Sequence, residues 1–154
     1  MTSTSKSKKP NYGKRFEQLI AKQIEAYPET SIDRIPDQTM RFKGRRNVSD
    51  FIVYRFPRLY YIECKTVHGN TLPFANISQF DALRDKSLIK GVEAGVLCWW
   101  VDKDITKWIP IGALVIRRFR GEKSVRFDSN DGKVIEGRKK KTYFEYDLRT
   151  FFGY

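Results

Sequence analysis

The sequence predicts an α/β fold, in which amphipathic helices alternate with apolar strands. Three observations indicate this. Apolar residues recur at helical spacing from Lys14 to Tyr27. Two short apolar segments, Asp50–Tyr54 and Leu59–Lys65, flank a turn that contains Pro57, as expected of a hairpin. Ala94–Val101 is almost continuously apolar, which is typical of a strand buried on both faces.

The N-terminal third combines a polar arm, a helix and an irregular basic stretch. Residues 1–12 are Ser, Thr and Lys with a proline, and this composition predicts a flexible basic arm. We expect residues 13–154 to form one domain, because no linker or repeat interrupts them. The first helix should end at Tyr27, since Pro28 follows it. Residues 29–48 show no periodicity and are predicted to be irregular.

The second half of the chain predicts one further helix and several strands. The helix is expected over residues 78–89, with Phe80, Leu83 and Leu88 facing the core. One or two strands are predicted between Lys107 and Arg118, where Pro110 forces an interruption or an edge position. We expect a tight turn at Asp131-Gly132 and a last strand from Thr142 to Tyr146.

The charge balance points to a polyanionic partner. The 154 residues include 30 Lys and Arg against 18 Asp and Glu, giving a formal net charge of +12. Such an excess suits nucleic acid, although a basic protein without that role remains an alternative. No basic amphipathic helix favours a membrane surface. The sequence has neither a long apolar run nor the apolar centre of a secretory signal, so we expect a cytoplasmic protein.

The cysteines do not predict a metal site. Cys64 and Cys98 lie in separate apolar segments, and His68 is the only histidine. A structural zinc ion would therefore have too few ligands from one chain. We expect reduced, packed thiols.

An acid begins the first hairpin strand, and an acid and a lysine follow on the second. Successive strand side chains point to opposite faces, so Glu63 and Lys65 share one face while Cys64 points to the other. Asp50 and Glu63 can hold a hard divalent cation, and the Lys65 ammonium can stabilise a charged phosphate. Solvent-facing charge pairs are the alternative.

Four short segments together resemble RecU-type Holliday junction resolvases of the PD-(D/E)xK nuclease superfamily, in particular short phage-encoded relatives. These segments are Gly13-Lys14-Arg15-Phe16-Glu17, Ser49-Asp50-Phe51, Glu63-Cys64-Lys65 and Asn76-Ile77-Ser78-Gln79. The resemblance covers roughly residues 13–115. It implies a restriction-endonuclease-like core, which has a mixed central β-sheet flanked by helices. It also implies a Mg²⁺-dependent endonuclease that makes paired nicks in four-way DNA junctions.

The same resemblance implies roles for the charged residues. Asp50 and Glu63 would be Mg²⁺ ligands, helped by the carbonyl of Cys64. Lys65 would orient or activate the attacking water and stabilise charge on phosphorus. Whether Mn²⁺ replaces Mg²⁺ is left open.

Two further residues join the predicted site from helices. Glu17 would be an extra acid for the metal or its water, and Gln79 would touch metal-bound water or the scissile phosphate. A helix-surface role remains the alternative for both. Pro36-Asp37 matches the nominal PD of the superfamily but lies in a segment without a strand pattern, so Asp50, preceded by Ser49, is the predicted ligand.

DNA contacts are predicted on several basic or polar positions. They are Arg41, Lys43, Arg45, Arg46, Lys14, Arg15 and Asn70. The cluster Arg138–Lys141 is a further phosphate-contacting candidate, with a flexible hairpin as its alternative. RecU-type enzymes carry a projecting basic stalk before the catalytic aspartate, and the corresponding stretch here, Asp33–Val48, is short. Strict preference for four-way junctions therefore stays open.

Paired nicks need two sites related by a two-fold axis, so the resemblance implies a homodimer. We expect its interface on strand 94–101 and the tail 143–154. Two alternatives stay open: a nuclease of the same core acting on flapped, otherwise branched or single-stranded DNA, and a non-catalytic DNA-binding recombination accessory.

Overall fold

A six-stranded mixed sheet with helices on both faces forms the centre of the protein. The computed structural model describes residues 10–36 and 47–153. The α-helices in these residues are α1 (Tyr12–Ala26), α2 (Phe80–Ser87), α3 (Ile111–Phe119) and α4 (Arg149–Phe152). The strands are β1 (Ser31–Arg34), β2 (Phe51–Arg55), β3 (Arg58–Val67), β4 (Thr71–Pro73), β5 (Val92–Trp100), β6 (Ile105–Pro110), β7 (Ser124–Arg126), β8 (Lys133–Val134), β9 (Gly137–Lys139) and β10 (Phe144–Tyr146).

The strand order in the main sheet is β1-β2-β3-β5-β6-β8. β3 and β5 run parallel, and the other neighbouring pairs are antiparallel. Two small antiparallel pairs, β4–β7 and β9–β10, lie outside this sheet. The predicted mixed α/β architecture, a central sheet flanked by helices, is therefore confirmed.

Each face of the sheet packs against its own pair of helices. On one face, α1 buries Phe16, Ile20 and Ile24, which recur every four residues, and α4 adds Phe151 and Phe152. α1 begins where the Asn11 side chain accepts a hydrogen bond from Lys14 N (3.1 Å), and it ends at Ala26, before the extended Tyr27 and Pro28. The predicted first helix is thus confirmed.

The opposite face packs against α2 and α3. Phe80 and Leu83 of α2 and Ile111 and Leu114 of α3 are buried there. The predicted second helix is confirmed at Phe80–Ser87, but Leu88 is 79% exposed and does not join the core.

Strand β5 lies in the middle of the sheet, with β3 on one side and β6 on the other. It is buried as predicted, and Trp100 is fully inside. The tail is also internal, because Phe151 packs against Tyr60 and Trp108. Both edges of β5 are paired and the Phe151–Phe152 end is buried, whereas Tyr143 of the tail is 49% exposed, so the expected interface on these two segments stays a prediction. Dimerisation itself stays a prediction.

The prediction of strands as far as Arg118 is half wrong. β6 ends at Pro110, and residues 111–119 form α3 instead of a strand. The β-branched run favoured a strand, but Ile111 and Leu114, three residues apart, both reach the core, and proline is well tolerated just before a helix. Residues 29–48 were predicted to be irregular, yet they contain β1, a mostly exposed edge strand.

The predicted tight turn, last strand and packed thiols can also be compared with the structure. Asp131-Gly132 lies in a bend before β8, with Gly132 at φ 71°. β10 occupies the last three residues of the predicted last strand. Cys64 and Cys98 are free and buried as expected, and burial raises the pKa of both thiols. Among the described residues, no helix has the length and apolarity to span a membrane.

Gly95 gives a test of the central strands. A Cβ at this position of β5 would overlap the Ile109 carbonyl of β6, and the Trp108 side chain lies over the same spot. We expect Gly95→Ala to lower the free energy of unfolding by about 1–3 kcal/mol, because the backbone must shift. Chemical denaturation followed by circular dichroism measures the change.

Gly112→Ala is the matched control, since no atom lies within 4 Å of the added Cβ in α3. Alanine suits a helix better, so stability should stay level or rise by up to about 1 kcal/mol. Equal effects of the two substitutions would show that β5 and β6 are not packed this closely.

Candidate active site

The register of the β2–β3 hairpin brings Asp50 and Glu63 together. Phe51 pairs with Ile62, and one further step places Asp50 opposite Glu63. Asp50 N donates to Ile62 O (3.1 Å), and Asp50 O accepts from Ile35 N (2.9 Å). Two main-chain hydrogen bonds, one to each neighbouring segment, therefore fix the position of Asp50 independently of its side chain.

Beyond Ile62, the edge of β3 that faced β2 has no strand partner within residues 10–36 and 47–153. The Asp50 side chain occupies the start of this open edge, where its Oδ2 accepts from Cys64 N (2.8 Å). The Ile62 carbonyl points toward β2, so the Cys64 carbonyl, two residues later, points to the same edge. One carboxylate and one main-chain carbonyl thus lie side by side.

Glu63 is a buried carboxylate, only 3% exposed. Its Oε1 lies 3.5 Å from Lys65 Nζ, while Oε2 is buried and has no hydrogen-bond partner among the described residues. Burial raises the pKa of Glu63 to about 8, and repulsion from Asp50 adds to this, whereas Lys65 lowers it. Without a cation, the Glu63 side chain is therefore mostly neutral at pH 7.

These donors fit a hard divalent cation. A buried carboxylate oxygen with no partner in the described part of the chain, next to a second carboxylate, favours a bound positive charge, which would lower the pKa of Glu63. The described part of the chain contains no group of three or more His, Cys, Asp and Glu side chains suited to a metal. Two carboxylates and a carbonyl suit Mg²⁺, since this ion keeps several waters.

Lys65 and Glu17 approach the acids from different sides. Lys65 shares the α2 face of β3 with Glu63, and its side chain is 25% exposed. Glu17 on α1 contributes to the raised pKa of Glu63, and its Oε2 accepts from Arg34 Nη2 of β1 (3.3 Å). Arg34 was missed at the sequence level, because only the pairing of β1 with β2 brings it near this helix.

Gln79 lies at the N-cap position of α2, where its Oε1 accepts from Ser78 Oγ (2.9 Å). α2 runs from the end of β3 back to the start of β5, and Lys86 lies over the Tyr61 ring (5.5 Å). Gln79 is ~10 Å from Lys86 along the helix, and Lys65 is ~13 Å from Tyr61 along the strand. Measured along β3, Gln79 therefore lies near the height of Lys65. No hydrogen bond between the described residues joins the two side chains.

The predicted DNA contacts stay predictions, and the structure shows only where the described ones lie. Lys14 and Arg15 are exposed in the first turn of α1, and Asn70 is exposed in the β3–β4 turn. Arg138 and Lys140 pair with Glu145 across the β9–β10 hairpin. The remaining basic candidates and Asp37 lie outside the described residues; they are Arg41, Lys43, Arg45 and Arg46.

Comparison with solved structures shows a likeness of fold. No protein-family model and no curated protein matches the chain. The chain is similar to the structure of Hjc, a Holliday junction resolvase from the archaeal hyperthermophile Archaeoglobus fulgidus. The TM-score is 0.49 and the identity 19%, covering 65% of this chain and 78% of that one. A likeness of this size assigns neither a family nor an activity, so the RecU-type resemblance stays a prediction.

The raised pKa of Glu63 predicts how stability depends on pH in metal-free buffer. Between pH 4.5 and about 8, the unfolded chain ionises this group while the folded chain keeps it neutral. The free energy of unfolding should therefore fall by about 1 kcal/mol per pH unit in this window. Glu63→Gln should remove that contribution and raise stability at pH 7 by up to about 3 kcal/mol.

Denaturation curves from pH 4 to 9 measure this effect. Glu25→Gln, at an exposed position of α1, is the control and should keep the wild-type slope. If Glu63→Gln were less stable than wild type at pH 7, Glu63 would not be a buried neutral acid.

Proposed function

We propose that the protein is a Mg²⁺-dependent endonuclease that acts on branched DNA, with the four-way junction as its main substrate. The observation that carries the proposal is the buried Oε2 of Glu63, which has no hydrogen-bond partner in residues 10–36 and 47–153 and lies beside Asp50 at the open edge of β3. Lys65 adds a cation at the same place, with its Nζ 3.5 Å from Glu63 Oε1. This donor set suits metal-assisted hydrolysis of a phosphodiester.

Each side chain has a role that follows from its chemistry. Asp50 and Glu63 would hold the ion with the Cys64 carbonyl, and bound Mg²⁺ would supply Lewis-acid polarisation of the phosphate and a more acidic water. Lys65 donates to a phosphate oxygen and offsets the charge that develops there. Glu17, tied to Arg34, and Gln79, near the height of Lys65, orient groups around the reacting phosphate.

The charge of the chain supports DNA as the substrate. A formal charge of +12 favours DNA as the partner, with Lys14, Arg15 and Asn70 among the contacts. Paired nicks across a junction require two copies of the site, so we propose a homodimer. A flap or single-strand nuclease with the same core is the first alternative, and a non-catalytic accessory is the second.

Cleavage of labelled DNA tests the proposal. Four-way junction, flap and linear duplex are incubated with wild type, with Mg²⁺ and with EDTA. We expect Mg²⁺-dependent nicking, strongest on the junction. Asp50→Asn should lower the rate at least about a hundredfold, because it removes a charge at the reacting centre. Asp33→Asn, on exposed β1, is the control and should cut like wild type.

Three other outcomes have distinct meanings. Cutting that survives Asp50→Asn would refute this site. Faster cutting of flaps would favour the first alternative. Binding without metal-dependent cutting of any substrate would favour the accessory role.

Metal binding is tested separately from cleavage by thermal unfolding. Mg²⁺ should raise the melting temperature of wild type, because the ion binds the folded chain and not the unfolded one. Glu63→Gln should lose this rise, since an amide is a poor ligand for Mg²⁺. Lys65→Met should keep it, because Lys65 is not a ligand. An equal rise in Glu63→Gln would contradict the ligand assignment.

A further inference from the structure

The C-terminal turn of α3 carries an aromatic side chain almost entirely in solvent. Phe119 is 93% exposed, more than any other large hydrophobic residue that the structure describes. An exposed ring of this size contributes nothing to the core, and Phe119 follows Arg118 directly in a helix whose inner face is already filled by Ile111 and Leu114. Packing among the described residues therefore does not account for this phenylalanine.

The residues around Phe119 are strongly basic. The segment from Arg117 to Arg126 contains five basic residues and one acid. Arg117 and Arg118 are ion-paired with acids, whereas Arg120 and Lys123 are exposed and have no ion pair among the described residues. A ring flanked by uncompensated cations suits a polyanion that also offers flat, apolar faces.

This turn lies on the face of the sheet that carries Glu63 and Lys65. The Arg118 guanidinium lies 3.9 Å from the centre of the Phe80 ring, and its Nη2 donates to Asp81 Oδ1 (2.9 Å). Both partners are in the first turn of α2, directly after Gln79. Phe74 N also donates to Lys123 O (2.9 Å). The turn is thus fixed beside the end of α2 that lies near the height of Lys65.

We propose that Phe119 stacks on a base whose face is exposed at the branch of a DNA substrate, while Arg120 and Lys123 contact the adjoining phosphates. The proposal rests on the proposed function for the position of the DNA. Bases within a duplex are already stacked on both sides, so only a branch or a single strand offers a free face. A second copy is a poorer occupant, because a two-fold contact would bring these cations against themselves.

Binding in the Asp50→Asn background tests the stacking without cleavage. Fluorescence anisotropy gives Kd for a four-way junction and for linear duplex, and 2-aminopurine at the branch reports stacking directly. Phe119→Ala should weaken junction binding about 5- to 150-fold, the range for loss of one base–aromatic stack, with little effect on duplex. Phe119→Trp should keep both the affinity and the quenching.

Ile116→Ala is the matched control. Ile116 is exposed on the same helix, one turn earlier, but has no ring to stack, so junction binding should not change. Arg120→Gln and Lys123→Gln should each weaken binding to both the junction and the duplex. Each should also lower the magnitude of the slope of log affinity against log salt concentration by about 1.

Two results would overturn the stacking proposal. One is an unchanged ratio of junction to duplex affinity in Phe119→Ala. The other is a loss of dimer in Phe119→Ala by light scattering, which would make this turn an interface between copies. If wild type binds junctions without cutting them and Phe119→Ala binds weakly, stacking stands and the nuclease function fails.

Discussion

The register between β2 and β3 is the constraint on which the rest of the site depends. It places Asp50 opposite Glu63 and lets the Asp50 carboxylate accept the main-chain hydrogen of Cys64 at 2.8 Å. Because side chains alternate along a strand, a slip of one residue would turn Glu63 and Lys65 toward α1 and Cys64 toward α2. Packing opposes such a slip, because Ile62 would leave the apolar cluster that it forms with Phe51 and a charged side chain would take its place. Apolar packing thus determines where the charges lie.

The same packing creates the electrostatic strain of the site. Glu63 is buried among the apolar residues of the sheet, which exclude water. Burial therefore makes the ionised form of Glu63 unfavourable. Lys65 compensates only in part, because one Glu63 oxygen faces it and the other has no described partner. An acid in this position lowers the stability of the metal-free fold at neutral pH. Such local conflicts are typical of functional sites and are tolerated because the surrounding strands are well packed.

The sequence predicted the parts of the fold that produce a strong periodic signal. Three elements bury one or both faces over at least five residues. They are α1 with its apolar face, the β2–β3 hairpin and the apolar strand β5. α3 was missed because its β-branched residues match a strand as well as a helix, and strands such as β1 and β8 are too short to show alternation. In the site, Glu63 and Lys65 are neighbours on one strand and were predictable. Arg34 and the height of Gln79 depend on tertiary pairing, which local patterns do not encode.

Parallel pairing of β3 with β5 has a consequence for the order in which the protein assembles. The β2–β3 hairpin joins residues close in sequence, so Asp50 and Glu63 meet through a short loop. β5 can join only after the chain has crossed the sheet through α2, a longer loop that closes more slowly. We therefore expect the two acids to come together early in folding, while Gln79 and the turn of α3 reach them later. A nascent chain would then hold its acidic pair before it holds the elements that surround the substrate.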